Sequence, residues 1–180
     1  MKLRIIAGRL GGRTIESPDS ALTHPMSERV RGALFNSLGD LSGQMVLDPF
    51  AGSGAIGLEA VSRGATAATL IERDRKAQTI IAENIERLGL IGRATLVRAN
   101  CRAWAETYVG LPFDLIVCDP PYNDIKVTTL ELLIAHLKSN GLMVLSHPGR
   151  ESAPTVNGVV VVDKRSYGDA ALAIYRKDSL

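Results

Sequence analysis

Apolar positions along the chain repeat with two different periods. Leu3-Arg4-Ile5-Ile6 and Arg13-Thr14-Ile15 read as short strands on either side of a turn containing Gly8, Gly11 and Gly12. A polar stretch with Pro18 and Pro25 follows. Val30, Leu34 and Leu38 then recur every four residues, which predicts a helix starting near Ser27, a residue type suited to capping it. Arg29 and Arg31 are expected to project away from that apolar stripe.

From residue 45 the pattern becomes an alternation of strands and helices. Met45-Val46-Leu47 predicts a buried strand, followed by a glycine turn and a helix ending at Gly64. Ala68-Thr69-Leu70-Ile71 is the second strand. The helix after it carries Ala77, Ile80, Ile81, Ile85 and Leu88 at helical spacing and stops at Gly89. Thr95-Leu96-Val97 and the run from Phe113 to Cys118 are the third and fourth strands. A capping box of Thr128 with Glu131 predicts a helix that runs to Asn140-Gly141. A fifth strand follows at 142–145, and residues 159–162 and 171–175 form a final pair joined by a turn at Gly168-Asp169.

Strands alternating with helices imply an α/β fold with a mostly parallel sheet covered on both faces. The last pair has no helix between its members and should form an antiparallel hairpin at one edge. The expected architecture resembles the sheet of the Rossmann-like methyltransferases, mostly parallel with one antiparallel edge strand, with a small N-terminal hairpin and helix extension. Residues 1–26 form a basic hairpin arm, and residues 27–180 a single domain.

Composition narrows the picture. A chain of 180 residues suits one domain with a full core, and 46% hydrophobic residues make disorder implausible. The net charge of +2 points to no partner by itself, but Lys2, Arg4, Arg9 and Arg13 gather in the first 13 residues with no acidic neighbour. Such an arm suits a polyanion, although a solvated edge strand has the same composition. Cys101 and Cys118 are too few for a disulfide framework, and no Cys/His spacing resembles a zinc site. There is no apolar signal region at the start and no apolar run of the roughly 20 residues a membrane span needs. A cytoplasmic location is expected, with no metal and no membrane partner.

The first candidate site is the loop from Asp48 to Gly57, Asp48-Pro49-Phe50-Ala51-Gly52-Ser53-Gly54-Ala55-Ile56-Gly57, between the first parallel strand and its helix. Its glycines also fit the dinucleotide fingerprint, so a nicotinamide-dependent oxidoreductase remains a competing reading. Asp48 separates the two. A carboxylate ahead of the loop repels a pyrophosphate but suits the cationic methionyl end of S-adenosylmethionine, and Pro49 removes a donor that a phosphate would use. Glu72 closes the second strand, where a carboxylate can accept both ribose hydroxyls. Asn100, after the third strand, can accept from an adenine amino group. Phe50, Ala51, Gly52, Gly54, Arg73 and Cys101 complete the expected cofactor set, with S-adenosylhomocysteine as the spent product.

The second candidate is Asp119-Pro120-Pro121-Tyr122, closing the fourth strand. An exocyclic amine on a base has its lone pair delocalised into the ring. Two acceptors set against its hydrogens, the Asp119 carboxylate and the Pro120 carbonyl, would pull the nitrogen toward tetrahedral geometry and hold it in line for methyl transfer. Pro120 and Pro121 stiffen the loop, and Tyr122 offers a face on which the base can stack. A stiff strand exit with no chemistry would have the same composition, but its place after the glycine loop and Glu72 favours the site.

With these motifs in place, the chain resembles the RsmD family of bacterial methyltransferases that act on the N2 amino group of a guanine in small-subunit ribosomal RNA. The likeness runs nearly end to end. It includes Arg4-Ile5-Ile6-Ala7-Gly8, Gly12-Arg13, the stretch from Ser27 to Asn36, both site motifs, and Tyr167-Gly168-Asp169-Ala170-Ala171-Leu172. The resemblance implies that the basic arm and the Arg29/Arg31 helix, with His24, grip ribosomal RNA phosphates, in a monomeric enzyme working on a small-subunit particle. Where the family pattern reads Arg-Pro-Thr, this chain has His24-Pro25-Met26, and Ser146-His147 replaces an acidic residue after the fifth strand. Competing readings are a DNA or RNA adenine-N6 methyltransferase, for which the chain has no room for a target-recognition segment, and a protein glutamine methyltransferase, which would carry Asn in place of Asp119. A non-catalytic assembly factor is a third, disfavoured by the intact tetrapeptide.

Overall fold

The structure is a computed structural model that describes residues 1–19 and 26–179. His24 lies outside the described residues. The chain runs β1 (Lys2–Arg4), β2 (Thr14–Glu16), α1 (Glu28–Leu38), β3 (Met45–Asp48), α2 (Ala55–Ser62), β4 (Ala67–Glu72) and α3 (Arg75–Arg87). It continues with β5 (Ala94–Arg98), α4 (Cys101–Thr107), β6 (Phe113–Cys118), α5 (Val127–Ile134), β7 (Leu137–Pro148), β8 (Val159–Tyr167) and β9 (Ala170–Lys177). Seven strands form one sheet in the order β5-β4-β3-β6-β7-β9-β8, and β1 and β2 pair separately.

The sheet is parallel from β5 to β7, as the strand-helix alternation predicts. β9 is the antiparallel strand, inserted between β7 and β8, and the β8–β9 hairpin forms the edge. Successive residues of the central strands feed opposite faces. Val46, Leu115 and Val117 join the core under α1, α2 and α3, while Leu47, Ile116 and Cys118 join the core under α4 and α5. That two-sided burial is why these strands read as continuous apolar runs.

Ser27 caps α1, its Oγ accepting from the Val30 N–H at 3.1 Å. The N-terminal hairpin is packed onto the domain, with Leu3, Ile5, Leu10 and Ile15 all in the larger core cluster. Glu59, fully buried on α2, accepts from the backbone N–H groups of Ile6 (2.9 Å) and Ala7 (3.2 Å). Asn84 on α3 receives the Glu16 N–H and donates to the Glu16 and Ser53 carbonyls, joining β2 to the glycine loop.

Two expectations about secondary structure fail. The helix predicted from Thr128 to Asn140 ends at Ile134, and Leu137 already pairs with Phe113 in the sheet. Lys126, not Thr128, is its cap residue. The Thr128 hydroxyl instead accepts from Arg102 Nη1 at 3.1 Å. Asn140 takes a positive φ of 64° within an irregular stretch of β7, so the Asn-Gly pair is a kink in a strand and not a helix stop. Helix α4 was not foreseen: it is short, and Asn100 starts it by accepting from the Ala103 N–H at 3.2 Å.

Candidate active site at the sheet switch point

The chain leaves β3 in one direction to build β4 and β5, then returns to place β6 on the other side of β3. The carboxyl ends of β3 and β6 therefore flank the point where strand order reverses, the crevice in which open α/β sheets bind ligands. Asp48 ends β3, and Asp119 follows directly on β6. A cleft of about 1820 Å³ opens there, walled by the glycine loop, the tetrapeptide and the segment leading into α1.

Phe50, Ala51, Gly52, Glu72, Arg73, Asn100 and Cys101 line this cleft together with Asp119, Pro120, Pro121 and Tyr122. Asp48 lies beneath the loop and is fully buried. Its Oδ2 accepts from the Gly57 N–H at 3.0 Å, and its Oδ1 has no partner. Desolvation lifts this carboxyl to about 7, helped by the nearby negative charges of Asp119 and Glu72. Asp119 is raised to about 6, again mainly by desolvation, while contacts from the Ser146 hydroxyl and the Met26 backbone N–H favour its ionised form. The charges acting on Asp48 are thus themselves carboxylates, and a cation entering the crevice would relieve the repulsion.

The loop leaves room for such a ligand. Gly52 has φ +58°, and a Cβ there would meet nothing within 4 Å, so the backbone faces open space. Gly57 does the opposite: a Cβ would lie 2.8 Å from Leu70 Cγ, and its absence lets α2 sit close on β4. Gly54 belongs with Gly57, since it starts α2 and packs on Leu70 and does not border the cleft. Glu72 has one oxygen on the Gly52 N–H and the other on the Asp74 N–H, both at 2.8 Å, which fixes the carboxylate at the rim with lone pairs to spare. An orphaned buried carboxylate oxygen, an open loop and a fixed carboxylate at the rim fit an S-adenosylmethionine of cationic methionyl end and adenosine body. Among the described residues, no cluster of three or more His, Cys, Asp or Glu could hold a metal ion.

The predicted nucleic-acid contacts divide. Arg9 and Arg29 are exposed. Arg4 is exposed but bound to Glu28, with Nη2 at 3.1 Å from the carboxylate, and Arg13 donates to the Arg87 carbonyl. Arg31 departs from the expectation of a solvent-facing phosphate grip. It is fully buried, donates to the Arg4 carbonyl and lies 3.9 Å from Glu59. The apolar spacing of α1 marks only one of its buried sides: the hairpin covers the side that carries Arg31, and burial lowers its pKa. Sequence reasoning missed Glu59, whose only signal was a lone acid in an otherwise apolar helix. It also assigned no role to Ser146, whose Oγ lies 2.9 Å from the Tyr122 hydroxyl.

A mostly parallel sheet with an inserted antiparallel β9, a glycine loop over a buried aspartate and a strand-ending Asp-Pro-Pro-Tyr define an S-adenosylmethionine-dependent methyltransferase. A family profile described as Conserved hypothetical protein 95 matches residues 3–176. Ribosomal RNA small subunit methyltransferase D of Escherichia coli is 40% identical over 141 residues, covering 78% of this chain and 69% of that protein. Bacillus subtilis YlbH is 34% identical over 97% of this chain and 99% of its own length. The solved structure of Escherichia coli yhhF superposes over the whole of both chains with a TM-score of 0.90 at 33% identity. The chain belongs to this family, the RsmD methyltransferases.

Proposed function

We propose that the protein methylates the exocyclic N2 amino group of a guanine in small-subunit ribosomal RNA. The observation that carries the reading is the tetrapeptide's position: Asp119 and Pro120 stand at the switch point and line the same cleft as the glycine loop. The donor, S-adenosylmethionine, supplies an electrophilic methyl group on a sulfonium. The protein's own residues need only bind and aim. Asp48, Gly52, Glu72 and Asn100 hold the donor in the β3–β5 half of the cleft, with Phe50, Ala51, Arg73 and Cys101 around it. Asp119 and the Pro120 carbonyl accept the amino hydrogens, and Tyr122, 41% exposed at the mouth, stacks on the flipped base.

The exposed arginines of the hairpin and Arg29 carry the phosphate contacts in this reading, and Arg31 serves to fix the hairpin. RNA bases open to an enzyme lie in loops, and a protein this small has little surface for reading sequence, so recognition of a partly assembled small-subunit particle supplies specificity. The enzyme acts as a monomer in the cytoplasm. Among the described residues, no helix is long and apolar enough to cross a membrane. The test is incubation with labelled S-adenosylmethionine and small-subunit particles from a strain lacking the gene, followed by digestion to nucleosides. N2-methylguanosine is expected; N6-methyladenosine would refute the guanine assignment, and stronger labelling of naked RNA would refute the particle.

A further inference from the structure

Cys118 pairs with Leu145 where β6 runs beside β7, so Asp119 and Ser146 leave the sheet as neighbours. Ser146 is 2% exposed. Its hydroxyl lies 2.9 Å from Tyr122 Oη, and from its place beside Asp119 it favours the ionised form of that carboxyl. A serine hydroxyl has one proton to give, and an ionised carboxylate can only accept. If the proton of Ser146 is turned to Asp119, its oxygen is free to accept from the Tyr122 hydroxyl. One direction satisfies all three groups: Tyr122 O–H to Ser146 Oγ, and Ser146 O–H to Asp119.

We propose that Ser146 is a positioning residue for methyl transfer, holding the Asp119 carboxylate and the Tyr122 ring in one fixed relation so that a planar base with an amino substituent meets both. The proposal rests on the methyltransferase reading above and deepens it. The Ser146 hydroxyl and the Met26 N–H both favour the charged Asp119 carboxylate, whose several lone pairs leave accepting capacity toward the cleft. Tyr122 sits in a 3-10 turn at residues 122–124, and its ring is tied down through its hydroxyl by the Ser146 contact. Ring and carboxylate fixed together favour an amine attached to an aromatic plane over an aliphatic amine, which gains nothing from the ring.

Other groups near Asp119 set the background for a titration. Asp48 faces it from β3, and the Cys118 thiol precedes it on β6. Asp124, Lys126, Arg150, Glu151 and Asp169 border the same cleft. His147 follows Ser146 on the opposite face of β7, with Nδ1 3.0 Å from the Pro148 carbonyl.

The test compares wild type with Ser146→Ala, Ser146→Thr, Tyr122→Phe and the Ser146→Ala/Tyr122→Phe double variant. Carboxyl carbon NMR of the protein alone reads the Asp119 titration, and kcat/KM against pH with RNA substrate reads its consequence. Ser146→Ala should raise the Asp119 midpoint by about one pH unit, since a donor to the charged form is lost. The acid limb of kcat/KM should move by the same amount and its plateau fall about 10-fold, with donor binding and Tm kept. Ser146→Thr should restore the midpoint, and the double variant should lose less than the product of the single losses. An Asp119 midpoint unchanged in Ser146→Ala, or losses that multiply, would overturn the proposal. A wild type that transfers no methyl group to RNA refutes the underlying reading instead, and the NMR titration still decides the Ser146 contact.

Discussion

Replacing Glu59 by alanine should loosen the N-terminal hairpin while leaving the sheet intact. Glu59 is fully buried, accepts from the N–H groups of Ile6 and Ala7 and from Arg63 Nε at 2.9 Å, and faces the Arg31 guanidinium at 3.9 Å. Two backbone N–H groups left without an acceptor cost about 1 kcal/mol each or more. Removing one side of a buried ion pair costs about 3–5 kcal/mol, because the partner charge stays in low dielectric. The two costs overlap, since the hairpin can lift and let water reach both, so about 4 kcal/mol is the expected total. For a protein of this size that is a fall in Tm of about 8–16 °C. In urea it is a midpoint about 2 M lower at unchanged slope. Glu59→Gln keeps the shape and one acceptor oxygen but loses the charge, and should cost about half as much. Amide exchange at Ile6 and Ala7 should speed up before exchange in β3 or β6. A loss below about 1 kcal/mol, or unchanged exchange at those two amides, would show that packing of Leu3, Ile5 and Ile15 alone secures the hairpin.

Three further outcomes follow from the same geometry. Asp48 has a folded pKa of about 7 against an ordinary 3.8. The folded state therefore keeps a proton that the unfolded chain has lost, and stability contributed by the protonated carboxyl disappears as pH rises from about 4 through 7. Asp48→Asn should stabilise the ligand-free protein above pH 7 by up to about 4 kcal/mol, with little gain below pH 4, while weakening S-adenosylmethionine binding in calorimetry; a Tm unchanged at pH 8 would contradict this. Gly8→Ala places a Cβ 2.0 Å from the Ser62 carbonyl oxygen at φ +83°, so it should break the Arg9–Ser62 contact, cost about 2–3 kcal/mol in thermal melting and abolish methylation of particles while sparing donor binding. Gly52→Val should cost only about 1–2 kcal/mol of stability, from its φ of +58°, yet weaken donor binding at least 10-fold by equilibrium titration, because its side chain enters the open space before the loop.

Much of this molecule was legible in the chain. Continuous apolar runs placed β3, β4 and β6, and a 3.6-residue period placed α3, within a residue or two, because strands buried on both faces must be apolar throughout and α3 must show one apolar stripe. The glycine loop and Asp119–Tyr122 were readable because their chemistry is local: a turn, a carboxylate and two prolines are contiguous in sequence. The Ser27 cap was readable for the same reason.

What the sequence could not decide is everything set by partners distant along the chain. Leu137 leaves the predicted helix because Phe113, 24 residues earlier, offers it a strand to pair with. Arg31 looked solvent-facing on its own helix, and it is buried because β1, β2 and Glu59 close over it. Ser146 carried no local signal, since its meaning lies in Asp119 and Tyr122 across the sheet. The two site motifs, about 70 residues apart, become one site only through the strand order that sets β6 beside β3. Periodicity reports how much of a residue is buried and on which face; it does not report against what, and that depends on packing between elements whose contacts no local pattern encodes.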